Sequence, residues 1–335
     1  MRHFAYASAS SLAEAIALLG GGETGAVRPL AGGTDLLTLM KADLAAPTQL
    51  VDIKRLSDLP RGIVETAAGV QIGALTSLST IEADPALLAR YRALSEAAAV
   101  AATPQLRNMA TLGGNLLQRP RCWYFRNALF ACWLKGGSEC QARDGENERH
   151  ALFDTSPCVA VHPSDPAAAL VALDAAVQLR GPRGERTVAL ADFLAPPTSD
   201  RRTENVLDAD ELILAVTIPT PVDGTRSTYL KAMDRKAWAF ALVGVAAAIR
   251  MEQGKIAAAR IVLSGVANVP WRVEAAERAL IGVAPAEATF ARAAELALAD
   301  AVPLAHNAYK VSLAQALIRR ALGVLTDETP TLAAD

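Results

Sequence analysis

"RPLAGGTDLL", residues 28–37, is the stretch on which the reading of this chain turns. A short apolar strand runs into Gly32 and Gly33, and Thr34 and Asp35 then precede the helical spacing of Leu36, Leu37 and Met40. Such a turn aims backbone N–H groups and a helix N-terminus at one point, and glycine admits an anionic ligand closely because no Cβ intervenes. The pattern is neither G-x-G-x-x-G nor G-x-x-x-x-G-K-[ST], so neither a Rossmann fingerprint nor a P-loop is present. A second turn of similar composition, "NMATLGGNLLQ" (108–118), offers Thr111, Gly113, Gly114 and Asn115 about eighty residues later. Singly, such a turn reads more readily as simple loop or cap chemistry. Together the two bring a shared anionic ligand level with that reading.

The chain of 335 residues is long enough for two or three domains, each with a core that needs no covalent staple. Its composition, 52% hydrophobic, 5% aromatic and 20% charged, describes a globular protein rich in Ala, Leu and Val rather than a disordered one. A net charge of -2 argues against a dedicated nucleic-acid binder, which carries a basic face. The N-terminal "MRHFAYASASSLAEAIALLGGG" has Glu14 inside its apolar stretch and reads as an amphipathic helix, not a signal peptide. No apolar run approaches the ~18–20 residues that span a bilayer. The expectation is a soluble chain without a membrane span or an export signal of its own. No G-x-S-x-G or H-E-x-x-H motif suggests hydrolysis.

Periodicity predicts strands near Phe4, at "QLVDI", at Val70–Gly73 and at "ELILAVTIP", and a helix over Ser10–Leu19. A helix is expected to start at Thr76 or Ser79, with capping spacing from Ser79 to Glu82, and to run on through Leu87–Ala102. Residues 103–118 read as a polar interruption, and "HPSDPAAALVALDAAVQLRGPRGERTVALADFL" as helix, strand and hairpin. Residues 219–224 are the best linker. Beyond them come strands around a turn at Gln253-Gly254, two helices ("VEAAERAL" and "HNAYKVSLAQALIRRAL") and a loose tail, "TDETPTLAAD". Ala237–Ile249, the longest apolar stretch, reads as a buried helix, with a strand as the alternative.

All four cysteines lie within "QRPRCWYFRNALFACWLKGGSEC" (118–140) and at Cys158, spaced Cys122-x9-Cys132-x7-Cys140-x17-Cys158. Spacing alone leaves three readings open. Two disulfides suit an exported loop. Structural zinc uses four thiolates, although usually in close C-x-x-C pairs. An iron–sulfur cluster also takes four thiolates, with freer spacing where a loop wraps it.

Six segments in order, RPLAGGTDLL (28–37), IGALTSLSTIE (72–82), TPQLRNMATLGGN (103–115), SDPAAALVALDA (164–175), ELILAVTIP (211–219) and YLKAMDRKAWAFALVGVAAAI (229–249), resemble the FAD-binding subunits of molybdenum hydroxylases, the xanthine dehydrogenase and carbon monoxide dehydrogenase family. The resemblance covers roughly residues 1–325. It implies an α+β chain with a vanillyl-alcohol-oxidase-type (PCMH) FAD-binding domain of two subdomains, residues 1–60 and 61–222. A C-terminal α+β domain of the carbon monoxide dehydrogenase flavoprotein type follows at 223–325. It further implies that Pro29, Leu30, Ala31, Gly32, Gly33, Thr34, Asp35 and Leu36 wrap the FAD pyrophosphate. Thr111, Gly114, Asn115 and Asp165 would form the second half of the site. Ile213 would lie near the isoalloxazine and Lys231 beside the flavin. Bland readings stand next to the last two: strand core for Ile213, a solvated charge for Lys231.

Ordinary members place the Asp-Pro motif almost directly after the glycine turn, whereas here about fifty residues separate Asn115 from Asp165. A subset resembling periplasmic aldehyde oxidoreductases and 4-hydroxybenzoyl-CoA reductases carries an insertion of this kind, here about 118–163, which binds a [4Fe-4S] cluster. The resemblance implies that Cys122, Cys132, Cys140 and Cys158 are its ligands. Arg119, Arg121 and Arg126 then either lend positive charge to the cluster or make ordinary surface contacts. Trp123 and Trp133 pack the loop, and His150 and His162 are structural. The implied complex is a heterotrimer with a small [2Fe-2S] subunit and a large subunit carrying the molybdenum cofactor. In it, electrons pass through FAD to an external acceptor and aldehydes become carboxylic acids. The alternatives are a 4-hydroxybenzoyl-CoA reductase-like or xanthine dehydrogenase-like complex, or a zinc- or disulfide-stapled scaffold. Location stays open between cytoplasm and a periplasm reached by co-export with a partner.

Overall fold

Capping residues punctuate the first part of the chain into alternating strand and helix. The computed structural model describes residues 1–22 and 25–326. After β1 (Ala5–Ser8), Ser11 caps α1 (Leu12–Gly20) by accepting the Glu14 N–H, while Glu14 reaches back to Ser10. β2 (Val27–Leu30), α2 (Leu36–Lys41) and β3 (Gln49–Asp52) complete a parallel sheet in the order β1-β3-β2. Ala15, Ile16 and Leu19 of α1 are buried with Val51 and with Leu212 and Leu214 from far along the chain.

β4 (Ile63–Thr66) and β5 (Gly69–Gly73) lead into a run of helices: α3 (Leu78–Ala83), α4 (Pro85–Arg90), α5 (Arg92–Ala99), α6 (Pro104–Arg107) and α7 (Leu112–Leu116). Two expectations are corrected here. Ser77, not Thr76 or Ser79, caps α3, accepting the Thr80 N–H. The helix expected through Ala102 breaks after α3, where Asp84 caps α4 by accepting the Leu87 N–H with Pro85 at its first position, and again at Tyr91, whose φ is -131°. The supposed interruption at 103–118 holds two short helices, each capped by a threonine, Thr103 and Thr111. After the insertion come α8 (Asp165–Ala172), β6 (Ala176–Gly181), β7 (Gly184–Ala189), α9 (Leu190–Phe193) and β8 (Leu212–Pro219). The sheet is antiparallel, ordered β4-β5-β8-β6-β7. Every residue of α8 is buried, as its all-round apolar sequence requires.

The remainder is an antiparallel sheet, β12-β11-β10-β9, of β9 (Thr225–Ala232), β10 (Val243–Glu252), β11 (Lys255–Ser264) and β12 (Trp271–Arg272), covered by α10 (Glu274–Leu280), α11 (Glu287–Ala297) and α12 (Tyr309–Thr326). The buried helix expected over Ala237–Ile249 is instead a loop and a strand. Val243–Ile249 is buried on both faces, and a strand so placed shows the same unbroken apolar run as a buried helix. α11 was not foreseen. It buries Phe290, Ala293, Ala294 and Ala297 at helical spacing, but alanine marks such a face weakly. The tail expected to be loose lies, beyond Thr326, outside the described residues. Among the described residues no helix is long and apolar enough to cross a membrane.

The segment between α7 and α8 has one short 3-10 turn, Trp133–Lys135, and packs through small clusters of its own. Trp133 sits with Phe125, Leu134 and Leu39 of α2, while Leu152 and Phe153 enter the core of the last sheet, where Phe153 stacks on Trp271 at 4.4 Å.

Just before β8, buried Glu211 takes two bonds from Arg186, at 2.6 and 2.8 Å, and the Asp208 N–H at 3.0 Å. The Arg186 hydrogen bonds hold its carboxyl below the usual range. A carboxyl lowered on folding stabilises the fold at neutral pH, and that contribution disappears as pH falls through the folded value. Glu211→Gln is expected to cost about 1 kcal/mol at pH 7. In urea unfolding the gap to the parent should close as pH drops below the ordinary carboxylate range.

Candidate functional site

Two clefts meet at the first glycine turn. One is lined by Pro29, Leu30, Ala31, Gly32, Gly33, Thr34, Asp35, Leu36, Thr111, Gly114 and Ile213. The other is lined by Asn115, Asp165 and Lys231 with Trp238 and Phe240. Thr34 and Gln118 border both. The residues singled out from sequence are therefore gathered into one region, but not around one point. Ile213 and Lys231, both expected beside the same ring, face different clefts.

The glycines act differently from the sequence argument. A Cβ on Gly32 would overlap the carbonyl oxygen of Met109, so this glycine lets the two turns pack against each other. Gly33 has φ +71°, the left-handed region that favours glycine. Residues 32–36 find no acceptor for their backbone N–H groups among the described residues, and Asp35 makes no side-chain cap to α2. The second turn, by contrast, is self-satisfied. Its N–H groups at Leu112, Gly113, Gly114 and Asn115 donate to the carbonyl of Thr76, the carbonyl of Ala74, Thr111 Oγ1 and the carbonyl of Thr111. Thr111 and Gly114 thus serve the cap. Asn115 Oδ1 accepts from Ser164 Oγ at 2.5 Å, which ties this turn to the start of α8.

Asp35 turns its carboxylate away from the turn it follows. It accepts the Arg119 N–H at 2.9 Å, Arg121 Nη1 at 2.9 Å and Arg126 Nη2 at 2.8 Å. Arg119 also pairs with Glu204 at 3.2 Å, and Arg121 lies over Phe240 at 4.8 Å. These arginines pin the insertion to the glycine turn and to its neighbours; Arg119 has Glu204, while Arg121 and Arg126 share the one carboxylate of Asp35.

At the second cleft, Asp165 is buried and accepts Tyr229 Oη at 2.5 Å and Lys231 Nζ at 2.8 Å. The Lys231 side chain, 1% exposed, also donates to the Val100 carbonyl at 3.1 Å, so it is not a solvated surface charge. Burial raises the Asp165 carboxyl, with Lys231 and Tyr229 opposing. Burial and the Asp165 charge push the Tyr229 hydroxyl well up, and that hydroxyl also bonds Ser264 at 2.8 Å. Tyr229 and Ser264 were not foreseen. The available signal was alternation in β9, which puts Tyr229 and Lys231 on one face.

The four cysteines remain free thiols that pack together, Cys132 and Cys158 buried, Cys122 and Cys140 partly so. Backbone N–H groups face every sulfur: Tyr124 and Phe125 at Cys122, Leu134 and Lys135 at Cys132, Ala142 and Val159 at Cys140, Ala160 at Cys158. A hydrogen bond from Cys158 holds Cys140 down to about 6, and burial pushes Cys122 up to about 12. His150 Nε2 lies 3.1 Å from Cys122 Sγ, whereas His162 accepts the Ser164 N–H. Among the described residues no three metal-ligating side chains are grouped closely enough to hold a single metal ion.

Residues 2–221 match the family model described as the FAD binding domain in molybdopterin dehydrogenase, and residues 228–325 the CO dehydrogenase flavoprotein C-terminal domain. The chain is 40% identical to the aldehyde oxidoreductase FAD-binding subunit PaoB of Escherichia coli, over 94% of this chain and 96% of that one. It is 31% identical to the carbon monoxide dehydrogenase medium chain of Afipia carboxidovorans, over 95% of each. Its fold superimposes on a Cu,Mo-CO dehydrogenase with a TM-score of 0.77 at 30% identity, covering 97% of this chain and 98% of that one.

Removing the Asp35 carboxylate would leave two part-buried guanidinium groups without their charge partner. Asp35→Ala is expected to destabilise the chain by about 2–4 kcal/mol in urea unfolding, and Asp35→Asn, which keeps an acceptor, by roughly half as much.

Proposed function

The chain belongs to the FAD-binding medium subunits of the molybdenum hydroxylases, and from this we propose that it is the FAD- and [4Fe-4S]-carrying subunit of a heterotrimeric, molybdenum-dependent aldehyde oxidoreductase. The substrate class, aldehydes oxidised to carboxylic acids, is favoured by the 40% identity to an aldehyde oxidoreductase subunit over nearly the whole chain. A small [2Fe-2S] subunit and a large molybdopterin-binding subunit would be its partners. The three sheets support a division at residues 1–60, 61–222 and 223–325, with the insertion at about 118–163.

One observation carries the flavin site: two clefts joined at a turn with unused backbone donors. FAD has two ring systems with a pyrophosphate between them, and this shape fits one ring in each cleft. Pro29–Leu36 would hold the pyrophosphate, chiefly through the N–H groups of 32–36. Ile213 then lines the adenine end, and Asn115, Asp165 and Lys231 line the isoalloxazine end, where Lys231 keeps a buried cation fixed by Asp165 and Tyr229. Thr111 and Gly114 shape the turn rather than donate to the ligand.

Four free thiols with backbone N–H groups directed at each sulfur fit a [4Fe-4S] cluster, which takes one thiolate per iron and needs no convergence on a single point. When bound, the two groups supply the redox chemistry that carries electrons from the [2Fe-2S] subunit to an external acceptor. The protein around them positions, screens and charges; none of its side chains is assigned a covalent step.

Anaerobically purified complex should contain one FAD and about four irons in this chain, and it should oxidise aromatic aldehydes with an artificial acceptor. Zinc in place of iron would overturn the cluster, and turnover of xanthine without any aldehyde would overturn the substrate class. Gly32→Ala, which forces the first turn off Met109, is expected to weaken FAD retention about tenfold or more, roughly 1.4 kcal/mol. Unchanged flavin content in that variant would take the turn out of the site.

A further inference from the structure

Lys310 is the charge that the proposed function leaves unused. It stands in the first turn of α12 with 0% exposure, and its Nζ donates to the carbonyls of His150 at 2.8 Å and Gly265 at 2.5 Å. Among the described residues no carboxylate pairs with it. A buried ammonium without a counter-charge is strongly unfavourable, and the positive end of an 18-residue helix adds to the cost. Within the polypeptide only carbonyl oxygens face this ammonium, and burial pulls it down to about 7, so its charge is held weakly unless a negative group lies nearby.

Its carbonyl partner is the clue to what does. The His150 carbonyl that takes Lys310 also takes Asn307 Nδ2 at 3.2 Å, and the ring of the same residue lies 3.1 Å from Cys122 Sγ. Nε2 is the ring nitrogen that faces the sulfur, and toward a cluster-bound thiolate, which can only accept, it is the one that donates. One residue thus links a buried, unbalanced cation to the four-cysteine site. A four-iron cluster held by four thiolates carries net negative charge, which grows on reduction, and its potential responds to nearby charge and to hydrogen bonds on sulfur.

We propose that Lys310 and His150 act together as positioning residues that tune such a cluster: His150 donates Nε2–H to the Cys122 sulfur, and Lys310 supplies the buried positive charge that the cluster balances, so both favour its reduced state. The inference rests on the cluster reading above.

The test is a redox titration of the cluster, followed by electron paramagnetic resonance, in the full chain purified anaerobically with its partner subunits, alongside iron counts and the flavin potential. Lys310→Met is expected to shift the oxidised-to-reduced ratio at fixed potential about tenfold toward oxidised, equivalent to about 59 mV for one electron. Lys310→Arg, which keeps the charge, should stay near the parent. His150→Phe should shift in the same direction as Lys310→Met, and His150→Gln, which keeps a donor, should recover part of the change. The flavin potential should not move in any of them. Parent protein without iron overturns the cluster reading itself. Iron-loaded Lys310→Met with an unmoved potential overturns the tuning role and leaves the cluster standing. If Lys310→Met loads no iron, Lys310→Arg decides: full loading supports a requirement for charge, and equal loss shows that the site needs only the shape of lysine, which overturns the proposal.

Discussion

No side chain fits between Gly32 and the carbonyl of Met109, and that close approach is the constraint on which the rest of the site depends. It joins two turns about eighty residues apart, one at the end of a parallel sheet and the other at the start of a short helix. Because they touch, one cleft opens beneath them toward Ile213 and another above them toward Lys231. The turns are nevertheless unequal. The first leaves its backbone donors unused, whereas the second spends its own on Thr76, Ala74 and Thr111. The contact therefore gives the joined clefts one donor-rich wall and one rigid wall.

The insertion is tied to this region and not merely appended to it. Asp35 binds it from the N-terminal sheet, Glu204 and the Arg202 carbonyl hold Arg119 from the loop before β8, and Asn307 with Lys310 hold the His150 carbonyl from the C-terminal helix layer. A segment with one 3-10 turn and little core of its own gains its order from these partners. Its sulfur site can thus keep a fixed place relative to both clefts.

The two buried lysines show how differently one charge can be handled. Lys231 has Asp165 at 2.8 Å, and the pair shares a network with Tyr229 and Ser264. Lys310 has only carbonyl oxygens. The first arrangement is complete within the polypeptide. The second leaves the cation without a counter-charge in the polypeptide, and burial pulls its pKa down.

Local order was largely legible in the sequence. The glycine turn after β2, the fully buried α8 and the strand ended by Pro219 are each set by neighbouring residues, through turn chemistry and apolar spacing that act within a few positions. So was the list of residues around the clefts, through the order of six motifs. What sequence could not assign was the role of individual atoms. Gly32 serves turn-to-turn packing, the carboxylate of Asp35 belongs to two arginines of the insertion, and Ile213 and Lys231 lie in separate clefts. Val243–Ile249 reads alike as strand or buried helix until its neighbours β9 and β11 are in place, because burial on both faces erases periodicity. Lys310 looks like one more helix-surface lysine. The chain by itself determined where strands, helices and cysteines fall, since propensity and spacing are local. Only tertiary packing decided which charges are paired and which turns touch, since those depend on residues brought together across the whole chain in a medium that screens them poorly.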